Sequence, residues 1–413
     1  MADGALGRRD FIAAGIAAGA APFINRNHFR LFARSQRRYS TRALELVNST
    51  TVLDMLSPFK IGRSTWLEQP ATFSAADLQR FRESGISVFH IATGVGGVDA
   101  YTNVLRFLGL WNGFLAHHHG TLMRIDAPAS LDGVKASKKI GVLLGIQNSQ
   151  HFRTVNDVDQ FYSLGQRISQ LTYNSRNLIG NGSTERRDDG ISDFGVSIVG
   201  RMNLVGMAVD VSHCGDRTTL DAFEVSTKPV LITHSNGRAL VPGHPRCKSD
   251  DAIQRMAARG GVMGITGVRM FVKADEPTTI EHMLDHYDHV RKLVGVEHLG
   301  LGSDIDLDGY DDLSAEEQKS LRAGYKDTYG FRDRIDIEGV DHPQRVYDLT
   351  EGLIRRGYSE ADIRGVLGDN FRRVLKGIWG TGSGGTGSAG PGPAEPGPEG
   401  PVPNGTGLPG LLN

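Results

Sequence analysis

From Thr51 to about Lys376, short runs of apolar and β-branched residues alternate with stretches in which apolar side chains recur every three or four positions. The runs are Thr51–Leu56, Ile86–Ala92, Gly141–Gln147, Ile168–Tyr173, Met207–His213, Pro229–His234, Gly261–Thr266 and His298–Asp304. The stretches between them include Asp250–Arg259 and Ile280–Val294, the latter with Met283, Leu284, Tyr287, Val290 and Leu293 on one helical face. Strand and helix in strict alternation predict a parallel sheet covered by helices. Eight such units in about 325 residues predict an α/β fold of the (β/α)8 barrel type. The competing doubly wound sheet lacks support, because no Gly-rich phosphate loop follows the first run.

In such barrels chemistry sits at the carboxyl ends of the strands. Those ends carry Leu56, His90, Gln147, Tyr173, His213, His234, Thr266 and Asp304. A single histidine there is ordinary packing. Two on consecutive strands, with an aspartate on the last, predict imidazoles and a carboxylate converging on a divalent metal that activates water. Cys214 follows His213 directly, so it is expected to face the other side of its strand.

The ends of the chain read differently. Gly7-Arg8-Arg9-Asp10-Phe11-Ile12 followed by an Ala/Gly-rich apolar stretch predicts a twin-arginine export signal over residues 1–21, hence the periplasm or cell envelope. Residues 22–50 form a lead-in, 51–376 the barrel, and 380–413, dominated by Gly and Pro, a disordered tail. No apolar run reaches the roughly 18 residues a spanning helix needs, so no transmembrane span is expected in the mature protein. A formal net charge of -1 gives no field for holding nucleic acid. Two cysteines cannot build a disulfide framework.

Several segments are recognisable together. Asp210–His213 (DVSH), Thr233–Leu240 (THSNGRAL) with His244–Arg246 (HPR), Ala258–Ile265, His289–Asp306 and Leu367–Leu375 resemble the membrane (renal) dipeptidase family of zinc metallopeptidases, as do Leu164–Asn174 and Ser192–Met207. The resemblance runs from about Asp54 to Leu375 and implies a barrel enzyme that hydrolyses dipeptides at a binuclear zinc centre, as a homodimer. Carried over by position, His213 and His234 hold one zinc, Arg238 grips the substrate carboxylate through its planar fork, and Asp304 faces the metal and handles the proton of the attacking water.

This chain also departs from the pattern. Leu56 and Pro58 stand where the family's first strand has its His-x-Asp ligands, Gln147 where it has a bridging glutamate, and Tyr173 where it has a histidine. The expectation is therefore an exported metallodipeptidase-like hydrolase of dipeptides or a similar small amide, with one zinc ion rather than two. His213, His234 and Asp304 would be its ligands, with His90 and Gln147 as substitutes. Tyr173 would assist catalysis and contact substrate through its hydroxyl. The alternative is a barrel that binds no metal, catalyses nothing and holds a small carboxylated ligand.

Overall fold

The computed structural model describes residues 28–29, 37–61, 64–311 and 313–380. The expected export segment and all but the first residue of the expected tail lie outside these. Eight parallel strands form the barrel wall: β1 (Leu53–Asp54), β2 (Val88–Thr93), β3 (Ile140–Ile146), β4 (Ile168–Gln170), β5 (Ala208–Asp210), β6 (Ile232–Ser235), β7 (Met263–Ile265) and β8 (Leu299–Leu301), and a ninth, Leu122–Arg124, pairs in parallel with β3 off that path. Each lies beside its neighbour in sequence, and β8 returns to β1 through Leu301 and Asp54. A single bridge from Asp210 to Leu231 holds the seam between β5 and β6. The result is the expected barrel of parallel strands with helices outside it.

Helices form where apolar spacing predicts them, and several begin at side-chain caps. Ser249 accepts from the Ala252 amide ahead of Asp250–Ala258, relieving one of the unpaired amides at a helix start. The helix Ile280–Val294 buries Met283, Leu284, Tyr287 and Val290. Between β1 and β2, Phe59 stacks on Phe81 with ring centroids 3.7 Å apart and meets Phe89 edge-on at 5.3 Å. These rings fix the start of the barrel wall with large apolar area.

The two mouths of the barrel are closed differently. At the amino ends of the strands, the last helix (Asn370–Trp379) packs Phe371, Val374, Leu375 and Ile378 against Leu53, Val88, Ile168, Ala208 and Leu231. Gly300 makes this possible, because a Cβ there would meet the Phe371 ring at 2.2 Å. Over the carboxyl ends lies the long segment that follows β8. Its Tyr329 and Ile335 form an apolar cap with Val241, Cys247, Val268, Met270 and Phe271, against which Tyr310, Tyr325 and Phe331 also pack.

Under that cap the barrel interior is polar. Asp54 is fully buried and accepts from the Ser303 amide (2.8 Å) and hydroxyl (2.5 Å), with the buried Arg345 guanidinium 3.7 Å away. Desolvation raises the Asp54 carboxyl pKa, while Arg345 and Ser303 pull it back. Among the described residues no helix is long and apolar enough to cross a membrane.

Candidate active site

Several strands are shorter than the apolar runs, so Tyr173 and Asp304 sit on the irregular backbone past the ends of β4 and β8. His213 follows β5 and His234 lies within β6. Their Nε2 atoms face each other at 3.0 Å. Each opposite nitrogen is already engaged: His213 Nδ1 meets Asn174 Oδ1 at 2.8 Å, and His234 Nδ1 meets Thr233 Oγ1 at 2.8 Å. Thr233 in turn donates to Asp210 Oδ2 (2.7 Å), and Asp210 Oδ1 accepts from Ser212. With Nδ1 as the donor in both rings, two Nε2 lone pairs point at one another, an arrangement that calls for a cation between them. Burial, then the positive charge of Arg246, hold both imidazoles neutral, with pKa values well below the ordinary histidine value.

Zinc–nitrogen bonds of 2.0–2.1 Å at the tetrahedral angle place two ligand nitrogens about 3.3 Å apart. The pair therefore fits one edge of a zinc site, and the Asn174 and Thr233–Asp210 contacts are the outer hydrogen bonds that orient metal-bound imidazoles. No third ligand joins them. Among the described residues no group of three or more histidines, cysteines, aspartates or glutamates is placed to hold a metal. Leu56 and Pro58, at the first-strand positions, offer no donor atoms to a metal.

The expected additional ligands are accounted for in other ways. Asp304 does not complete the histidine pair. It takes a left-handed backbone conformation (φ 56°) and lies half-buried among Tyr173, Tyr310, Tyr325 and Tyr329. Burial pushes its carboxyl up to about 7, against the pull of Arg246. His90 donates through Nδ1–H to Met55 O (2.5 Å), while its Nε2 is buried without a partner. That ring fills the space beside Gly145, where a Cβ would come within 2.0 Å of Nε2. Gln147 is half-buried at the rim and donates to Ala92 O at 3.3 Å. The Cys214 thiol accepts from Thr172 (3.3 Å) and does not join the histidines; both cysteines are free and buried.

Tyr173 stacks on His213 with centroids 4.1 Å apart at 21°, and its hydroxyl meets that of Tyr325 at 2.8 Å. It therefore overlies the histidine pair as its position after β4 suggested.

The arginine expected at the site makes other contacts. Arg238 forks onto Asp216 at 2.6 and 2.7 Å and donates to Cys247 O, so its charge is spent on a surface ion pair. The guanidinium at the histidines is that of Arg246, which is wholly buried. It donates to Ser212 O and, at 3.2 Å, to His234 O, the carbonyls beside the two imidazoles, and lies over the Phe271 ring at 5.1 Å. The HPR triplet was the available signal. The loop from β6 travels farther than its first turn before an arginine points back inward.

Paired imidazoles and a buried guanidinium at the carboxyl mouth mark this end of the (β/α)8 barrel as the candidate site. The comparison with known sequences narrows this. The membrane dipeptidase model, peptidase family M19, matches residues 42–322 and 331–381, and the chain belongs to that family. Dipeptidase verJ of Clonostachys rogersoniana is 31% identical over 245 residues, covering 59% of this chain and 56% of that one. Dipeptidase 3 of Rattus norvegicus is 27% identical over 259 residues, 61% of this chain and 48% of that one. The matches thus span about half the length of these curated relatives. Among solved structures, an amidohydrolase from Pseudomonas aeruginosa superposes with a TM-score of 0.70 at 28% identity, covering 82% of this chain and 99% of that one. A metallo peptidase from Rhodobacter sphaeroides, liganded with a phosphinate mimic of the dipeptide L-Ala-D-Ala, gives 0.65 at 18% identity over 80% of this chain and 99% of that one.

Proposed function

We propose that this protein is an exported hydrolase that cleaves the amide bond of dipeptides or a similar small amide, with one zinc ion held by His213 and His234. The observation that carries the reading is the 3.0 Å approach of two Nε2 atoms whose Nδ1 partners are fixed by Asn174 and Thr233. Zinc bound there supplies Lewis acidity toward water and the amide carbonyl.

The chain's own groups do the rest. Asp304, with a pKa of about 7, is ionised or protonated near neutrality according to need. It takes the proton of the attacking water and returns it to the departing amine. The Tyr173 hydroxyl, above His213, donates to the carbonyl oxygen as negative charge builds there. Arg246, already oriented by two backbone carbonyls, supplies the positive charge that draws a substrate carboxylate to this end of the mouth.

Export rests on the paired arginines at Arg8 and Arg9 and the apolar stretch after them. The test is metal content by elemental analysis of purified protein, with dipeptide hydrolysis assayed before and after chelation. About one zinc per chain and chelator-sensitive turnover are expected. Metal-free protein with no turnover, yet binding small carboxylated ligands, would establish the non-catalytic alternative.

A further inference from the structure

The family model leaves residues 323–330 of this chain unmatched. That segment carries Tyr325 and Tyr329, whose rings lie 4.5 Å apart directly over the mouth. Tyr325 reaches the Tyr173 hydroxyl at 2.8 Å, and Tyr173 covers His213. Tyr329 packs edge-on against Phe271 at 5.2 Å, the same ring that Arg246 overlies. The segment is also tied across the opening, since Lys326 donates to Thr184 O at 3.0 Å in the loop after β4. Under this roof His213, His234 and Arg246 are each no more than 1% exposed. A substrate therefore cannot meet them until the roof shifts.

Resting on the hydrolase reading above, we propose that Tyr325 and Tyr329 form a roof latched by the Tyr325–Tyr173 contact, and that this roof determines which substrates reach the histidine pair. The latch is a hydroxyl–hydroxyl bond that substrate entry must break. The rings left behind bound the space above the scissile amide. Small dipeptides are admitted ahead of bulky ones.

The roof is tested without reference to catalysis by diethyl pyrocarbonate modification of full-length protein from which zinc has been removed by a chelator, so that both Nε2 atoms are free to react, followed residue by residue by mass spectrometry. The exposed His119 serves as the internal standard. Y325F keeps the ring and removes the latch. It should speed modification of His213 and His234 about fivefold, the change expected from losing one neutral hydrogen bond. Y325A should speed it further, with His119 unchanged in both. Hydrolysis of Ala-Ala and Phe-Phe is then compared, and Y325A should raise the Phe-Phe to Ala-Ala ratio of kcat/KM. Unchanged modification rates in both variants, with folding verified by circular dichroism, would overturn the roof. An unchanged ratio in an active Y325A enzyme would overturn its role in selection. If modification accelerates while no dipeptide is cleaved by any form, the hydrolase reading fails and the roof remains as a gate to a binding site.

Discussion

Asp304 gives the sharpest quantitative expectation. Burial raises its carboxyl to about 7, Asp54 adds to the shift, and Arg246 opposes it; Tyr173, Tyr310, Tyr325 and Tyr329 are the other titratable groups around it. If the ionised form takes the proton of water, kcat/KM follows the ionised fraction. For a pKa of about 7 that fraction is roughly 0.09 at pH 6 and roughly 0.91 at pH 8, a tenfold rise. An ordinary aspartate near 3.9 would be flat over the same range. The paired histidines cannot produce the limb, since both are held well below the ordinary value of 6.5. The tyrosines are raised above 10 and are also silent there. Initial rates of dipeptide hydrolysis from pH 5 to 9 test this, with D304N as the control. D304N should lose the limb and about 10²–10⁴ in kcat.

A second readout needs no turnover. The folded state holds the Asp304 proton more tightly than the unfolded chain, so the stability this group confers is present at low pH. It is lost as pH rises from about 4 through about 7. D304N, which cannot ionise, should therefore gain melting temperature over the native protein above pH 7 and not below pH 4. A flat rate profile between pH 6 and 8, or a D304N enzyme with the native profile, would refute the argument.

Other expectations follow from single contacts. Removing the Asn174 acceptor by N174A frees the His213 ring and should weaken zinc binding about 10–100-fold by competition titration, with the fold retained. R238A breaks the Asp216 pair and the bonds to Cys247 O and should leave KM for dipeptides unchanged, whereas R246M should raise KM steeply; equal effects would return Arg238 to the site. G145A sets a methyl against His90 Nε2 and should cost about 1–3 kcal/mol in denaturant unfolding.

The chain's own pattern told a good deal. Eight apolar runs and the helical spacing of Ile280–Val294 are local signals, and the barrel followed from them because strands that alternate with helices have few ways to pack. His213, His234 and Tyr173 were also legible, since each lies at a strand's carboxyl end and the barrel sends all such ends to one mouth. The tertiary structure decided the rest. Asp304 was expected among the metal ligands; its carboxyl lies among Tyr173, Tyr310, Tyr325 and Tyr329, which the fold gathers from separate parts of the chain. Arg238 and Arg246 sit a few residues apart in one loop. Only the position of Asp216, on the helix after β5, and of the inward carbonyls of Ser212 and His234 chose which one faces out and which is buried. Tyr325 reaches Tyr173 from 152 residues along the chain. Periodicity reports a residue's own element and face, whereas charge pairing and roofing depend on which distant elements that face meets.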